Sequence, residues 1–229
     1  MSHTPLGTPF SSDDVVVIAD DETFSRFMVA EMLERLGVPR TKVARDGNET
    51  IALLNGDLAP AIRLILLDFN MPGRNGLELL RDIRRGALRV SPAVPVMMVT
   101  GVEVFGLVAA AIALDVDAFL TKPMTLDDLR ANLDAVATAE RDIASPADYA
   151  AVDLSGLEGR HVPPPARDGE PVPVTGLAEG MVVAQDLIDP NGNLLLAQGT
   201  VVTARVARLF RGLAAAGLPL DGLRVIKSD

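Results

Sequence analysis

The chain has no cysteine and only two histidines, His3 and His161. Disulfide bonds and thiol chemistry are therefore excluded, and a metal site would have to use oxygen or histidine ligands. Both histidines fall in segments that the sequence pattern predicts to be coil. This placement argues against a histidine-based zinc site or a catalytic histidine.

The sequence also lacks the features of secreted and membrane proteins. Its first residues, MSHTPLGTPFSSDD, contain neither the basic start nor the apolar run of a signal peptide. No stretch approaches the roughly 20 uninterrupted apolar residues that span a bilayer. We therefore expect a cytoplasmic protein without a membrane partner.

An excess of basic residues is missing as well. The formal net charge is −10, and acidic residues outnumber basic ones both before and after Glu140. Binding to a nucleic acid backbone requires a basic patch that neutralises phosphates. The charge balance argues against nucleic acid as a partner.

The most informative stretch that is present runs from Leu64 to Gly76, LILLDFNMPGRNG. A short, uninterrupted apolar run that ends in turn residues is typical of a strand buried on both faces of a parallel sheet. Asp68 would then stand at the carboxyl end of a central strand, where ligands bind in open α/β sheets.

The surrounding sequence alternates between short apolar runs and segments with helical periodicity. The predicted strands are 15–19, 42–45, the run ending at Asp68, 95–99 and 116–120, and the predicted helices cover about 24–36, 48–55, 77–85, 104–114 and 125–139. Strict alternation of this kind predicts an α/β domain with a doubly wound, five-stranded parallel sheet and right-handed crossovers.

Polar residues stand at the ends of four of these strands. Taken singly, each has an ordinary interpretation, as a helix cap or a solvated lysine. In a parallel sheet, however, all the carboxyl ends lie at one edge, so these side chains are expected to converge on one pocket. The residues concerned are Asp20, Asp21, Asp68, Thr100 and Lys122.

Such a pocket suits phosphoryl chemistry. Clustered carboxylates repel one another unless a cation lies among them, and Mg²⁺ prefers carboxylate and phosphate oxygens. Asp68 could act as a nucleophile towards phosphorus, with the metal neutralising phosphoryl charge. Lys122 would supply a positive donor, Thr100 a neutral one, and Gly101 would leave space for the phosphoryl group.

With these residues, 14–140 resembles the receiver domain of bacterial response regulators, the CheY-like fold with strand order 2-1-3-4-5. The resemblance also includes the MPG sequence after Asp68, Gly76 and Pro123. It implies that Asp68 accepts a phosphoryl group from a phosphohistidine on a sensor kinase or phosphotransfer protein. It also implies a Mg²⁺ site formed by Asp21, Asp68 and the backbone carbonyl of Asn70, with Asp20 assisting.

The same resemblance implies a conformational switch. Thr100 would turn towards the phosphoryl group, and Phe119 would rotate inward behind it. Two features depart from the usual receiver pattern. Asp115 stands where a glycine usually ends the fourth helix, and the fourth helix (VFGLVAAAIAL, within Val104–Leu114) is apolar almost all round. An all-apolar helix is usually buried, so we expect it to be covered, by a second subunit or by the C-terminal part of the chain.

The remaining sequence divides into three parts. Residues 1–13 are predicted to be a disordered tail and 141–173 a proline-rich linker. Residues 174–229 are predicted to be a small α+β module, with a hairpin of 182–188 and 194–197 around Asn191-Gly192, a helix capped by Thr203, and a closing strand at 223–226. This module resembles the β-rich segment that precedes the catalytic domain of some HD-GYP phosphodiesterases.

Three functions were compared. The leading hypothesis is a two-component response regulator that signals by protein–protein contact, without an output enzyme, since no paired His-Asp follows in the sequence. One alternative is a transcriptional regulator whose C-terminal module binds DNA, although no two-helix recognition unit is evident. The other is a phosphatase of the haloacid-dehalogenase type, but that chemistry needs an acid two residues after the nucleophile, where this chain has Asn70.

Overall fold

The computed structural model describes residues 10–101, 108–137, 139, 143–152, 154, 167–188, 194–215, 220 and 222–226. Two compact units are distinguished in it. The first contains the residues before 101 together with 114–151, and the second contains 101–113 together with those from 152 onward. His3 and His161 lie outside the described residues. No helix among the described segments is long and apolar enough to cross a bilayer.

The first unit is built on a parallel sheet of five strands in the order β2-β1-β3-β4-β5. This confirms the predicted fold class and strand order. The strands are β1 (Val15–Ala19), β2 (Thr41–Ala44), β3 (Ile62–Asp68), β4 (Val96–Thr100) and β5 (Ala118–Thr121). β1 is buried along its whole length, and β3 at all but one position, because helices cover both faces of the sheet.

Helices follow the strands as the alternation predicts. They are α1 (Thr23–Arg35), α2 (Gly47–Asn55), α3 (Gly76–Arg84), α4 (Val108–Ala113, in the second unit) and α5 (Leu126–Ala137). Side chains that cap the N-termini supply part of the local signal. Asn75 and Glu78 form a capping box on α3, and Asp46 caps α2. The Thr125 hydroxyl accepts from the Asp128 amide, as predicted for the start of α5.

Both predicted segments that flank the receiver contain ordered residues. Phe10, inside the predicted tail, packs against the core formed by β1, β3 and α5. Within the predicted linker, α6 (Pro146–Ala150) contacts α3, and its Tyr149 is fully buried. The domain boundaries themselves stay a prediction.

A buried ion pair fixes the start of β5. The Arg84 guanidinium lies 2.9 Å from the Asp117 carboxylate, and both side chains are 1% exposed. Arg84 also donates to the carbonyls of Pro92, Val94 and Asp115, and Asp117 accepts from the Val96 amide. Every charge is therefore paired or hydrogen-bonded, as burial requires. The ion pair anchors β4 and β5, which carry Thr100 and Phe119 and lead to Lys122.

The second unit is rich in β-structure. β6 (Glu170–Pro171), β10 (Arg224–Ile226) and β7 (Val182–Val183) form a three-stranded sheet, β8 (Leu187–Ile188) pairs with β9 (Leu194–Leu196), and α7 is Ala204–Ala215. α7 begins after Thr203, whose hydroxyl accepts from the Val206 amide, as predicted. α4 lies in this unit and contacts β9, and Val108 and Ala111 on it are buried.

The predicted hairpin of 182–188 with 194–197 is confirmed in part, because β8 is antiparallel to β9, but its first arm is divided into β7 and β8. β7 pairs with β10, whereas β8 pairs with β9, and the chain changes direction between them. Residues 184–186 lie outside both strands. Among them Asp186 is buried, and its carboxylate accepts from the Gln198 amide at 2.5 Å. The predicted Asn191-Gly192 turn lies outside the described residues.

Candidate functional site

Three of the expected polar residues meet at the carboxyl edge of the parallel sheet. Asp20 follows β1, Asp68 ends β3, and Lys122 follows β5. The Lys122 ammonium nitrogen (Nζ) lies 2.8 Å from Oδ2 of Asp20 and 3.0 Å from Oδ1 of Asp68. Both carboxylates are buried, whereas the lysine side chain is 25% exposed. One cation therefore bridges two buried anions at the mouth of the site.

Asp20 accepts hydrogen bonds from three residues at the start of α1. Its Oδ1 accepts from the Glu22 amide at 2.8 Å, and its Oδ2 accepts from the Ser25 hydroxyl at 2.5 Å. Its backbone carbonyl accepts from the Arg26 guanidinium at 2.6 Å. Sequence reasoning missed Ser25 and Arg26. Their only signal was their position on a helix that begins directly after the acidic pair.

Asp68 is held by the loop that follows it. The Asn70 amide donates to Oδ2 of Asp68 at 3.0 Å, and the Gly76 amide donates to the Phe69 carbonyl at 2.9 Å. A Cβ at position 76 would collide with the Asp68 carbonyl and approach Cε of Met98 to 2.9 Å. Gly76 thus allows α3 to start close behind the loop that follows Asp68.

The surroundings shift the pKa values of both central groups. Burial raises the pKa of the Asp68 carboxyl above its ordinary value. Lys122 opposes this effect, and the negative charges of Asp20 and Asp21 add to it. Burial lowers the pKa of Lys122, but its hydrogen bonds and ion pairs with Asp20 and Asp68 outweigh burial, so that its pKa is raised. The ammonium form of Lys122 is therefore favoured, whereas burial disfavours the ionised form of Asp68.

The carboxylates also have the spacing of a cation site. One oxygen from each of Asp20, Asp21 and Asp68 lies within 4.8 Å of the others. Asp21 is exposed, whereas the other two are buried. An all-oxygen set that is open to solvent on one side suits Mg²⁺, which retains several waters when bound to proteins. The donor set therefore fits magnesium.

Thr100 lies on β4, the strand next to that of Asp68, and Phe119 lies on β5, one strand further from Asp68. Thr100 ends β4 and pairs with Thr121, and its carbonyl accepts from the Lys122 amide at 2.8 Å. Phe119 lies on β5 and is half-buried. The sheet register therefore places Thr100 at the edge that carries Asp68 and Lys122, and Phe119 two residues further down β5. Gly101 is exposed, and the position of a Cβ there would be open.

An apolar surface lies beside the site on α1. Phe24, Phe27 and Met28 are 69%, 60% and 36% exposed. Their three- and four-residue spacing predicted a helix, which the structure confirms, but the residues of α1 that are buried in the core are Val29 and Leu33. The exposed residues belong to the part of α1 that directly follows Asp20 and Asp21.

The family model of the response regulator receiver domain matches residues 16–134, a range that includes all of the strand-end residues described above. The chain belongs to the response regulator receiver domain family. The chain is accordingly a two-component response regulator, and its CheY-like receiver is a signalling domain.

Three relatives illustrate where this domain occurs. The chemotaxis protein CheY-3 of Vibrio cholerae serotype O1 is 31% identical over 122 residues, 53% of this chain and 89% of that protein. The sensor histidine kinase RcsC of Salmonella typhi is 32% identical over 127 residues, 55% of this chain and 13% of the kinase. The cyclic di-GMP phosphodiesterase response regulator RpfG of Xanthomonas campestris pv. campestris is 34% identical over 116 residues, 51% of this chain and 30% of RpfG.

The family assignment concerns the receiver only. Its matched residues end at 134, well before the small C-terminal module. The resemblance of 174–229 to the segment that precedes HD-GYP domains therefore stays a prediction.

Proposed function

We propose that Asp68 is the phosphoacceptor of this response regulator and that the donor is a phosphohistidine on a sensor histidine kinase or phosphotransfer protein. The observation that carries this proposal is the buried Asp68 carboxylate, with a lysine ammonium 3.0 Å away and two further carboxylates around it. Perturbed pKa values cluster at functional sites, and burial raises the pKa of the Asp68 carboxyl.

The transfer itself is a displacement at phosphorus. An Asp68 oxygen forms a bond to phosphorus while the bond from phosphorus to the donor imidazole nitrogen breaks. The imidazole leaves with the bonding electrons and takes up a proton. Lys122, already 3.0 Å from Oδ1 of Asp68, then pairs with an oxygen of the phosphoryl group. Hydrolysis of the acyl phosphate by water returns Asp68 to its starting form.

Magnesium would be held by the carboxylates of Asp21 and Asp68 and by the backbone carbonyl of Asn70. When bound, Mg²⁺ neutralises negative charge on the phosphoryl oxygens. Asp20 already accepts three hydrogen bonds or ion pairs from Glu22, Ser25 and Lys122, which favours an indirect contribution. Asp21, by contrast, is exposed and has room for a cation.

The apolar surface of α1 supports a protein as phosphodonor. Any protein that delivers a phosphohistidine to Asp68 must contact the rim of the site, and α1 begins two residues after Asp21. Phe24, Phe27 and Met28 offer large exposed side chains there. Exposed apolar patches of this kind commonly mark protein interaction sites. We therefore expect the kinase or phosphotransfer protein to contact α1.

The output is expected to be a protein–protein contact controlled by Thr100 and Phe119. Thr100 would turn towards the phosphoryl group and Phe119 inward, which changes the surface around β5. α4 already contacts β9 in the second unit, which makes the C-terminal module a candidate for the responding element. Homodimerisation through 104–114 is the alternative, and residues 104–107 of that segment lie outside the described residues.

The test is phosphorylation of the whole chain by a small phosphodonor, acetyl phosphate, in the presence of Mg²⁺. The wild type and Asp68→Asn are compared by intact mass and by size-exclusion chromatography. We expect the wild type to gain the mass of one phosphoryl group and to change its elution volume, and Asp68→Asn to do neither. A control variant, Asp127→Asn, removes an exposed carboxylate on α5 and should behave as the wild type.

Each result has a defined consequence. An unmodified wild type, or a phosphoryl group that persists in Asp68→Asn, contradicts the assignment of Asp68. Phosphorylation without any change in elution volume supports Asp68 as acceptor but contradicts a change of dimerisation.

A further inference from the structure

Ser25 is the one side chain of α1 whose hydroxyl reaches the acidic pocket among the described residues. Its Oγ lies 2.5 Å from Oδ2 of Asp20. Oδ2 of Asp20 also lies 2.8 Å from the Lys122 ammonium nitrogen. The serine hydroxyl and the lysine ammonium therefore share one carboxylate oxygen.

This sharing determines how Lys122 is placed. The Glu22 amide holds Oδ1 of Asp20 at 2.8 Å, so that Ser25 and Glu22 together fix the plane of the carboxylate. A hydroxyl that donates a hydrogen bond to Oδ2 also weakens the attraction between this oxygen and an ammonium, because the two donors share one acceptor. In the structure Lys122 contacts both Asp20 and Asp68 and is not paired with Asp20 alone.

We propose that Ser25 is a positioning residue for phosphorylation: it holds Asp20 so that Lys122 remains available to Asp68 and to the incoming phosphoryl group. This inference rests on the proposed function of Asp68. Ser25 acts through Asp20 and Lys122 and makes no contact of its own with the phosphoacceptor.

A second hydroxyl on the same turn provides a matched control. Thr23 is exposed and bonds to the Arg26 guanidinium at 3.0 Å, outside the acidic pocket. If Ser25 only stabilised the first turn of α1, removing either hydroxyl would have a similar effect. If Ser25 positions Lys122, only removal of the Ser25 hydroxyl should change the rate of phosphorylation.

The experiment compares wild type, Ser25→Ala, Ser25→Thr and Thr23→Ala as whole chains. The phosphorylation rate with acetyl phosphate is measured by intact mass over a range of Mg²⁺ concentrations. For Ser25→Ala we expect a maximal rate about tenfold lower, equivalent to about 1.4 kcal/mol, with the half-saturating Mg²⁺ concentration changed by less than about twofold. Ser25→Thr should recover most of the rate, and Thr23→Ala should match the wild type.

A second measurement needs no phosphorylation. The ¹⁵N resonance of the Lys122 ammonium is recorded by NMR in metal-free protein, where it reports the groups around the nitrogen. We expect it to shift in Ser25→Ala, to return towards the wild-type position in Ser25→Thr, and to be unchanged in Thr23→Ala.

The two proposals fail in different ways. If Ser25→Ala is phosphorylated at the wild-type rate and its Lys122 resonance is unchanged from the wild type, the proposed role of Ser25 is overturned. Asp68 remains the acceptor in that case. Equal losses in Ser25→Ala and Thr23→Ala also overturn the role of Ser25, because they indicate a general effect on α1. A wild type that takes up no phosphoryl group contradicts the function of Asp68, and this inference falls with it.

Discussion

The hydroxyl of Tyr149 donates a hydrogen bond of 2.6 Å to the carboxylate of Asp115, 34 residues earlier in the chain. Asp115 has a φ of +54°, a left-handed conformation that favours glycine. Its carboxylate is used by Tyr149, and its carbonyl accepts from Arg84 at 2.9 Å. The hydrogen bond to the carboxylate is an interaction that glycine could not make at this position, whereas the carbonyl would accept from Arg84 with either residue.

Replacing Tyr149 with phenylalanine should destabilise the first unit. The change removes the donor to Asp115 and the acceptor of the Ala144 amide, which lies 2.7 Å from the tyrosine oxygen. Since Tyr149 is fully buried, we expect a loss of about 1–2 kcal/mol in the free energy of unfolding, measured by urea denaturation. A Tyr149→Phe variant as stable as the wild type would show that this hydrogen bond contributes nothing net.

Stability should also fall at high pH as Tyr149 ionises. Burial, with the Asp115 carboxylate, raises its pKa from 10.0 to about 12. Because the folded state favours the protonated phenol, its contribution is complete below about pH 10 and is lost as pH rises towards about 12. Tyr149 is the only tyrosine, and the chain has no tryptophan, so phenolate absorbance reports this residue alone.

The titration is best measured by a rapid pH jump, before alkaline unfolding begins. The midpoint should lie near 12 in the folded protein and near 10 in urea. A folded midpoint near 10 would contradict the burial of the hydroxyl.

Substitutions at Asp115 should separate backbone strain from the lost hydrogen bond. Asp115→Gly and Asp115→Ala both remove the acceptor of Tyr149, but only alanine retains a Cβ at a φ of +54°. We expect Asp115→Ala to be less stable than Asp115→Gly by about 1 kcal/mol, measured in urea. Equal stabilities would indicate that the backbone relaxes without cost.

In the Asp115→Gly background, Tyr149→Phe should lower the free energy of unfolding by less than it does in the wild type, because the acceptor of the tyrosine hydroxyl is already absent.

Gly76→Ala should disrupt the loop that carries Asp68. The added methyl group would collide with the Asp68 carbonyl and approach Met98, and backbone atoms cannot move away at low cost. A loss of more than about 2 kcal/mol is expected from urea denaturation. Gly212→Ala is the matched control. Gly212 lies in α7, where a Cβ would have no neighbour within 4 Å apart from the nearby backbone of the helix, and alanine favours helix, so this variant should not lose stability. A Gly76→Ala variant that unfolds like the wild type would contradict this close approach.

Magnesium should stabilise the folded protein against heat. A ligand that binds only the folded state adds stability by mass action, about 2.7 kcal/mol at a concentration 100 times its Kd. We expect Mg²⁺ to raise the melting temperature, a chelator to reverse the increase, and Asp21→Asn to weaken it. Asp127→Asn should respond as the wild type does. If Asp21→Asn responds equally, Asp21 is not a ligand.

Much of the fold could be predicted because it is encoded locally. The apolar run before Asp68 and the β-branched run at 15–19 are buried strands in the structure. The spacing on α1 predicted a helix, but not which of its faces meets the core. Phe24 and Phe27 proved to be exposed, since periodicity gives a face and not its direction.

The sequence by itself determined the alternation of strands and helices and, through it, that the residues at the strand ends share one edge of the sheet. Only the tertiary structure decided which neighbours surround those residues: Ser25 on Asp20, Tyr149 on Asp115, Arg84 on Asp117. The physical reason is that period and composition act over a few residues. The rotation of a helix and the path of a loop, by contrast, depend on packing between segments that are far apart in the chain.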